Sequence, residues 1–285
     1  MRSLCGELEP MTTQYPIPSR IVFGDDHSAG ADIAWNWITA HGWPAWELDI
    51  VSVTPPRPSI VALIASDPLH EVRPELPRTI PTSCGLNTVR YLTASGDPRI
   101  VLSESPERGL TVVGARGGGI LKALHLGSTA EWLAKSPSAP VVIARKSKRI
   151  QSILACVDGS SHADAAIAAL GKMPWIAETH VTVLAVDRDV NWDSEEPSLR
   201  ETAEGSAQLL RDFGARVAVK VLLADPTVSR LNAKYAIFDM IDSLAPDLVA
   251  LGTKGRRGLS RALMGSVASD VTQYADCSVL IARAQ

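Results

Sequence analysis

The chain carries the same segments twice, in the same order. Three pairs of segments correspond: RIVFGDDHSAGADIA at 20–34 with SILACVDGSSHADAA at 152–166, GLTVVGARGGG at 109–119 with DLVALGTKGRR at 247–257, and APVVIAR at 139–145 with CSVLIAR at 277–283. Asp26 lies 132 residues before Asp158, and Gly114 lies 138 residues before Gly252, so the copies differ in length by only six residues between these points. A repeat this regular predicts a duplicated domain.

The duplication divides the chain into three parts. A polar, proline-containing leader occupies 1–18, a first domain 19–146 and a second domain 150–285. The basic segment RKSKR at 145–149 joins the last strand of one copy to the first strand of the next. Because so short a linker allows little separation, we expect the two domains to lie side by side.

Short runs rich in Val, Ile and Leu alternate with helical patterns in each copy. This alternation predicts βαβ units and a fold of the α/β class, with an open five-stranded parallel sheet in each domain and helices on both of its faces. In the second copy, strands are expected near 152–158, 181–186, 216–223, 248–252 and 278–282. Helices are expected at 161–170, where Ser161 and Asp164 are close to a capping box, at 196–213, at 228–244 and from Gly265 onward.

The middle of the first copy is less regular. The segments TPPRPSI at 54–60 and VRPELPRTIP at 72–81 contain too many prolines for long helices. Proline removes a backbone donor and clashes with the preceding helical turn. We therefore expect the second and third helices of the first domain to be short or broken.

A spaced glycine motif, G-x2-G-x9-G-S, follows the fourth strand of each copy. It consists of Gly252, Gly255, Gly265 and Ser266 in the second copy and of Gly114, Gly117, Gly127 and Ser128 in the first. One reading is a turn followed by a helix cap. The other is a phosphate cradle, in which glycine lets an anion approach the backbone beside a helix N-terminus. The length of the loop favours the cradle, because structural βα connections typically take about two to six residues.

The motif differs from two common nucleotide-binding signatures. It has no GK[ST] and so is not a Walker A sequence, and it does not match GxGxxG with an acidic residue about 20 positions later. An aspartate, Asp26 or Asp158, closes the first strand of each copy. At the carboxyl edge of the sheet it would face the glycine loop, where it could accept ribose hydroxyls or help to hold a metal ion. The alternative role is to cap the next helix.

Composition excludes several function classes. A formal charge of −3 provides no global basic field for nucleic acid, and the four cysteines form no CxxC pair or zinc spacing. No apolar run reaches the roughly 20 residues of a membrane span, so we expect a cytoplasmic protein. No Ser–His–Asp set is legible, and His162 is interpreted as a surface residue rather than a catalytic one. We expect no catalytic residue and no metal ligand.

These residues together resemble the universal stress protein family in its tandem two-domain form. The resemblance covers about 20–145 and 151–283 and rests on the glycine motif, the aspartate closing strand one, and the terminal VVIAR and VLIAR strands. It implies Rossmann-like sheets of order 3-2-1-4-5 whose final strands pair across a two-fold axis within one chain. It further implies ATP, or ADP or AMP, with or without Mg, as the ligand of each domain, and a possible homodimer and an unidentified protein as partners.

The resemblance also implies the residues that would bind the nucleotide. In the second domain, Asp158 would bind ribose, Val157 and Val186 would border adenine, and the phosphates would be surrounded by Gly252, Gly255, Gly265, Ser266 and the amide of Val267. The corresponding residues of the first domain are Asp26, Asp25, Val53, Gly114, Gly117, Gly127, Ser128 and Thr129.

The copies are unequal. Asp25 stands where the second copy has Val157, and its charge would repel a phosphate unless a cation intervenes. The second loop carries Lys254, Arg256, Arg257 and Arg261, against Arg116, Lys122 and His125 in the first. The second site is therefore predicted to be the stronger.

Two other functions remain open at this point. One is a nucleotide-independent scaffold, in which the tryptophans Trp35, Trp37, Trp43 and Trp46 could form a partner surface, although Trp35 and Trp37 are more often part of a helix core. The other is a slow ATP hydrolase or an enzyme of the related α-hydrolase superfamily, for which VDGSSHAD does not supply the SGGxDS-like loop.

Overall fold

The computed structural model describes residues 20–54, 78–104, 109–117, 126–187, 198–223, 233–256 and 264–284. The leader predicted at 1–18 lies outside these residues, as do the proline-rich positions 55–77 and four of the loop residues, Lys122, His125, Arg257 and Arg261.

The first half of the chain contains five strands and three helices in the described part. In chain order these are β1 (Arg20–Gly24), α1 (Ala29–Thr39), β2 (Glu47–Thr54), β3 (Thr88–Ser95), α2 (Pro98–Ser103), β4 (Leu110–Gly114), α3 (Ser128–Lys135) and β5 (Val141–Ala144), with a 3-10 turn at Thr82–Cys84. The six residues of α2 agree with the expectation of a short helix, and Pro98 stands at its start, where a missing backbone donor has no cost.

The second half has the same order, with one more helix among the described residues, which lies between its second and third strands. It consists of β6 (Ser152–Val157), α4 (Ser161–Gly171), a 3-10 turn (Ile176–Glu178), β7 (His180–Asp187), α5 (Leu199–Asp212), β8 (Arg216–Leu223), α6 (Ala233–Leu244), β9 (Leu248–Gly252), α7 (Ser266–Tyr274) and β10 (Ser278–Ala282). All five predicted strands are present. The predicted cap of α4 is wrong by one residue, because the Ser160 hydroxyl, not Ser161, accepts the amide hydrogen bond of Ala163. The capping box, which the sequence analysis did not predict, lies at Ser198 and Glu201 of α5.

The ten strands form one sheet of order β3-β2-β1-β4-β5-β10-β9-β6-β7-β8. Each half has the predicted order 3-2-1-4-5. Of the neighbouring strand pairs in the described residues, only β5 and β10 run antiparallel, with Val142 opposite Leu280. This pair joins the halves, as the resemblance implied. Because one sheet crosses the junction, the domain boundaries at 146 and 150 stay a prediction.

Two hydrophobic cores cover the two faces of the sheet, and both extend over both halves. The first core lies under α1, α4 and α5 and includes Phe23 of β1. The second lies under α2, α3, α6 and α7 and includes Val22, the neighbour of Phe23 in the same strand. Side chains that alternate along a strand point to opposite faces, so the register of β1 decides which core each side chain enters.

The partner surface considered for the four tryptophans is wrong because all four side chains are buried, and the alternative of a helix core is correct for Trp35 and Trp37. Their exposed fractions are 7% for Trp35, 0% for Trp37 and Trp43, and 4% for Trp46. Trp175 of the second half lies edge-on to Trp37 and Trp43, with ring centroids 6.0 and 6.1 Å apart. The tryptophans therefore stabilise the contact between the halves, where large aromatic rings bury much apolar area.

His41 lies within this aromatic cluster and also joins the two halves. Its Nδ1 is 2.7 Å from the carbonyl oxygen of Trp37, and its Nε2 accepts a hydrogen bond of 2.9 Å from the amide of Ile150. Because Nε2 is an acceptor, the single ring proton must be on Nδ1. Burial lowers the pKa of His41 to about 4, so the ring is neutral at pH 7.

No helix in the described part of the chain is both long enough and apolar enough to span a bilayer.

Candidate functional site

A cavity of ≈ 330 Å³ lies at the carboxyl ends of β1 and β4. All eight first-domain residues singled out in the sequence line it: Asp25, Asp26, Val53, Gly114, Gly117, Gly127, Ser128 and Thr129. Its volume falls within the range of roughly 300–1,000 Å³ found for small-molecule sites. The position is the edge where strand order reverses, at which open α/β sheets bind their ligands.

One wall of this cavity is apolar. It is formed by Val51 and Val53 of β2, Val113 of β4, and Leu102 of α2, with Pro98 at the start of that helix. These side chains, Pro98 excepted, belong to or pack against the second core. The sequence analysis predicted Val53 but not the contribution of α2, because no local pattern indicates which loop edge a six-residue helix will close.

The third glycine of the motif opens the helix beside the cavity. Gly127 is the N-cap of α3, at φ −77° and ψ 155°, and makes no side-chain cap. This conformation is open to any residue, and a Cβ here would meet its nearest neighbours at 3.5 Å, an ordinary contact distance. Neither backbone strain nor packing therefore requires glycine. Glycine is also a common N-cap residue, and because it has no side-chain oxygen it leaves the first-turn amides accessible to an anion.

Gly265 repeats this arrangement in the second half. It is the N-cap of α7 at φ −75° and ψ 157°, again without a side-chain cap, and a Cβ would meet its nearest neighbour at 3.6 Å. The amides of Gly127 and Gly265 donate to the carbonyls of Ala115 and Thr253, at 2.7 and 2.8 Å. These two hydrogen bonds join the start of α3 to the end of β4, and the start of α7 to the end of β9.

The first glycine has a packing role instead. A Cβ on Gly114 would lie 2.3 Å from the carbonyl oxygen of Gly30, and one on Gly252 would lie 2.5 Å from the carbonyl carbon of His162. The strand end thus touches the first turn of the helix that follows the first strand. This close approach explains the glycine without a ligand, and phosphate contact by Gly114 and Gly252 stays a prediction.

The second glycine makes room for the aspartate that closes the first strand. A Cβ on Gly117 would lie 2.4 Å from Oδ2 of Asp26, and one on Gly255 would lie 2.4 Å from Oδ2 of Asp158. The Oδ2 of Asp158 also accepts the amide of Arg256 at 2.9 Å. Each aspartate therefore lies against its glycine loop.

Each of these aspartates also holds the turn before the next helix. Oδ1 of Asp158 accepts the amide of Ser160 at 3.1 Å, and Oδ1 of Asp26 accepts the amide of Ser28 at 3.1 Å. The hydroxyl of Ser160 donates to the carbonyl of Lys254 at 3.0 Å, so the turn is tied to the glycine loop as well. A structural role of the aspartates is thus observed, and ribose binding stays a prediction.

Although Asp25 lines the cavity, its charge is paired. Its carboxylate is fully buried and accepts two hydrogen bonds from Arg78, at 2.8 and 2.7 Å. The Arg78 guanidinium also donates to Asp32 at 2.6 Å and lies 5.9 Å from the ring centroids of Phe23 and Trp35. Those rings belong to the first core, on the opposite face of the sheet from the apolar cavity wall. The predicted repulsion of a phosphate by Asp25 thus loses its basis.

Arg78 is the cation that neutralises Asp25, the residue expected from the sequence to repel a phosphate unless a cation intervened. Burial alone would raise the pKa of Asp25, but the hydrogen bonds from Arg78 and from the His27 amide hold it below its usual value. The pair replaces Val157, which is 4% exposed and packs in the first core of the second half. Sequence reasoning missed Arg78 because it lies 53 positions from Asp25, inside the proline-rich segment.

The remaining second-half positions lie along the corresponding edge. Val186 and Val267 are partly buried against the second core, and Ser266 is exposed at the start of α7. The charge advantage predicted for this loop depends in part on residues outside the described ranges. Lys254 is partly buried, and Arg256 is exposed.

His162, predicted to lie at the surface, is partly buried. Its Nδ1 accepts the amide hydrogen bond of Ala284 at 2.9 Å, so the ring fixes the backbone near the C-terminus. Burial lowers its pKa, and the nearby charges of Arg283 and Lys254 lower it further. A neutral ring that accepts a backbone hydrogen bond has a structural role.

The fold and the site define a tandem α/β protein of Rossmann-like topology with a glycine-rich loop at the carboxyl edge of each half-sheet. Residues 149–283 match the model of the Universal stress protein family. A universal stress protein of Mycolicibacterium smegmatis is 25% identical over 292 residues, which cover 92% of this chain and 96% of that protein. The second half of the chain therefore matches the universal stress protein family, and the similarity to the Mycolicibacterium smegmatis protein extends over both halves.

Solved structures agree on the fold. A universal stress protein from Archaeoglobus fulgidus superimposes with a TM-score of 0.64 at 18% identity, covering 93% of this chain and 98% of that one. A protein from Pseudomonas aeruginosa superimposes with a TM-score of 0.55 at 19% identity, covering 94% and 93%. At these identities the likeness extends to the fold alone.

Proposed function

We propose that this chain binds an adenine nucleotide, ATP or its products ADP and AMP, in the first-domain cavity. In this proposal it acts in stress response or signalling, through a nucleotide-dependent change of shape or of partner. The observation that carries the proposal is that eight residues chosen from the sequence line one cavity, which also includes the start of α3. A scaffold that merely inherited the glycine motif would have no need of the cavity.

The cavity offers a different chemistry at each end. Val51, Val53 and Leu102 would receive the flat apolar base. The first-turn amides at Ser128 and Thr129, with the positive end of the α3 dipole, would receive the phosphates. Asp26 lies beside the glycine loop, where a carboxylate can accept ribose hydroxyls.

Function in this proposal arises from occupancy rather than from catalysis. A nucleotide that bridges β1, the glycine loop and α3 would hold these elements in one arrangement, and its departure would release them. The burial of the four tryptophans removes the partner surface that was considered for the scaffold alternative. Steady phosphate release that disappears in Asp158→Ala would instead indicate the hydrolase.

Matched valine variants test the site. Gly127→Val places an isopropyl group on the N-cap beside the cavity, and Gly265→Val makes the same change in the second half, where both backbones accept a side chain without strain. Binding is measured by calorimetry with ATP, with GTP as the comparison ligand. At 100 times the dissociation constant, ATP should stabilise the wild type by about 2.7 kcal/mol, visible as a higher melting temperature. We expect Gly127→Val to lose the part of this gain that comes from the first-domain cavity, and Gly265→Val to keep that part.

Two results would count against the proposal. If denatured wild type releases no adenine nucleotide and added ATP changes neither heat nor melting temperature, the chain is not a nucleotide-binding protein. If only Gly265→Val loses binding, the site is the second loop, as the charge count predicted, and the first-domain cavity has another use.

A further inference from the structure

The final strand of each half ends in an arginine that reaches the other half. Arg145 follows β5 and Arg283 follows β10, at equivalent positions of the VVIAR and VLIAR segments. Arg145 donates from Nη2 to the carbonyl of Thr272 in α7. Arg283 donates from Nη1 to the hydroxyl of Ser136, the C-cap residue of α3, at 3.1 Å. The two contacts are reciprocal between the halves.

Both arginines bind the C-terminal end of a helix. Thr272 is among the last three residues of α7, so its carbonyl has no amide of the same helix to accept from. Ser136 stands directly after the last residue of α3. A cation at this end of a helix interacts favourably with the negative end of the helix dipole. Arg145 and Arg283 therefore stabilise α7 and α3, respectively.

These two helices are the ones whose N-termini contain the third glycine of the motif. Gly127 begins α3 and Gly265 begins α7, and the helices are only eight and nine residues long. At a rise of about 1.5 Å per residue, each anchored residue is about 10 to 14 Å from its glycine. The helices α3 and α7 also contact each other directly. A displacement of one end of so short a helix also displaces its other end.

Each arginine directly follows a residue that is hydrogen-bonded to the glycine loop of its own half. The amide of Ala115 donates to the carbonyl of Ala144 at 3.1 Å, and the amide of Thr253 donates to the carbonyl of Ala282 at 2.9 Å.

Burial lowers the pKa of Arg145; the charges of Cys277 and Asp276 act in the opposite direction, and the cavity-lining Arg116 adds a smaller lowering effect. Arg283 and Lys254, a residue of the second glycine loop, both act on the imidazole of His162. Nη1 of Arg145 is buried and has no hydrogen-bond partner among the described residues, so this side chain has unused donor capacity.

We propose that Arg145 and Arg283 couple the two glycine-loop sites, so that nucleotide bound in the first-domain cavity changes the affinity of the second site for the same ligand. The inference rests on the proposed nucleotide function. An anion beside Arg116 alters the electrostatic field at Arg145, which donates to the end of α7. A displacement of α3 on binding moves Ser136 and, through its hydrogen bond, Arg283. Coupling between sites is reciprocal, so occupancy of the second site changes the first equally.

The first measurement needs no ligand. In Arg283→Met, which removes the donors but keeps much of the length, hydrogen exchange of the amides in α3 should become about two- to five-fold faster, the factor that a helix-terminal cation contributes. Arg145→Met should do the same to α7. Ser136→Ala removes only the acceptor in α3 and keeps the measurement available should an arginine variant fail to fold. Arg200→Met, an exposed position on α5, is the control. Unchanged exchange in α3 and α7 would overturn the inference.

The second measurement uses ATP calorimetry. Gly127→Val and Gly265→Val give the affinity of each site with the other blocked, and the wild type gives both sites together. We expect the two affinities to shift by about five-fold or more on joint occupancy, and to become independent in the Arg145→Met and Arg283→Met double variant. Binding at both sites with unaltered coupling in the double variant would refute the inference and leave the proposed function intact. If ATP binds at one site only, coupling is refuted. If ATP binds at neither site, both the coupling and the proposed nucleotide-binding function are refuted.

Discussion

Acid should destabilise this chain through His41. The ring is 2% exposed, its Nε2 accepts from the amide of Ile150, and its Nδ1 meets the carbonyl of Trp37. A second proton would have to be placed on Nε2, where it would face the N–H of Ile150, one donor against another. Burial lowers the pKa of His41 from 6.5 to about 4, so the folded chain resists a proton that the unfolded chain takes up.

The sign and size follow from proton linkage. Above pH 6.5 the ring is neutral in both states and contributes its full stability. As the pH falls below 6.5, the unfolded state binds the proton first, so the free energy of unfolding decreases until the folded ring also titrates near pH 4. One pKa unit corresponds to about 1.4 kcal/mol, so the complete loss is about 3 kcal/mol, of which roughly 2.5 kcal/mol is lost by pH 4.5.

Urea unfolding at several pH values between 7 and 4.5 measures this loss. His41→Gln should be less stable at pH 7, because the geometry of both hydrogen bonds changes, but its stability should depend less on pH by about 2 kcal/mol across this window. His180→Gln, an exposed position on β7, is the matched control and should retain the wild-type dependence because His41 is intact. His162, whose pKa burial also lowers, contributes equally to wild type and variants and cancels in the comparison. Equal pH dependence in wild type and His41→Gln would refute the assignment.

Two further pairs of variants probe the first half of the sheet. Asp25→Asn removes the buried charge that pairs with the Arg78 guanidinium, and it should lower the free energy of unfolding, measured in urea, by about 3 kcal/mol. The double variant Asp25→Val with Arg78→Met should restore most of this stability, because buried ion pairs can often be replaced by apolar residues. A double variant as unstable as Asp25→Asn would contradict this. Gly114→Ala places a methyl group 2.3 Å from a carbonyl oxygen and should lower the free energy of unfolding by about 1–3 kcal/mol. Gly127→Ala meets no such contact and should lower it by less than about 1 kcal/mol. Equal melting temperatures for these two variants would show that the glycines are not distinguished by packing.

The sequence predicted the fold well because its two strongest signals are local and repeated. Runs of β-branched residues at the same spacing in both copies located all five strands of the second half, and the resemblance supplied their order. Hydrophobic periodicity also indicates burial, yet the tryptophan-rich segment was interpreted as a possible surface. Its burial depends on Trp175, more than a hundred residues away, which covers Trp37 and Trp43.

The site was predictable as a set of positions but not in the role of each. Three glycines of one motif have three different causes: a strand meeting a helix turn at Gly114, a carboxylate lying against Gly117, and an uncapped helix start at Gly127. Spacing alone does not separate these, because each depends on atoms from another part of the chain. The partnership of Arg78 with Asp25 has the same character, since a long-range ion pair leaves no periodic trace in the sequence.

The antiparallel pairing of β5 with β10 within one chain affects how the sequences of the two halves can diverge during evolution. Strands that must find each other between separate molecules pair only at sufficient concentration, whereas a short tether keeps the effective concentration of the partner in the millimolar range and fixes the ratio at one to one. In a dimer of identical subunits every substitution appears twice, on both sides of the axis. Covalent linkage removes that constraint, so an aspartate can replace a valine on one side alone, and each half is free to acquire a different task.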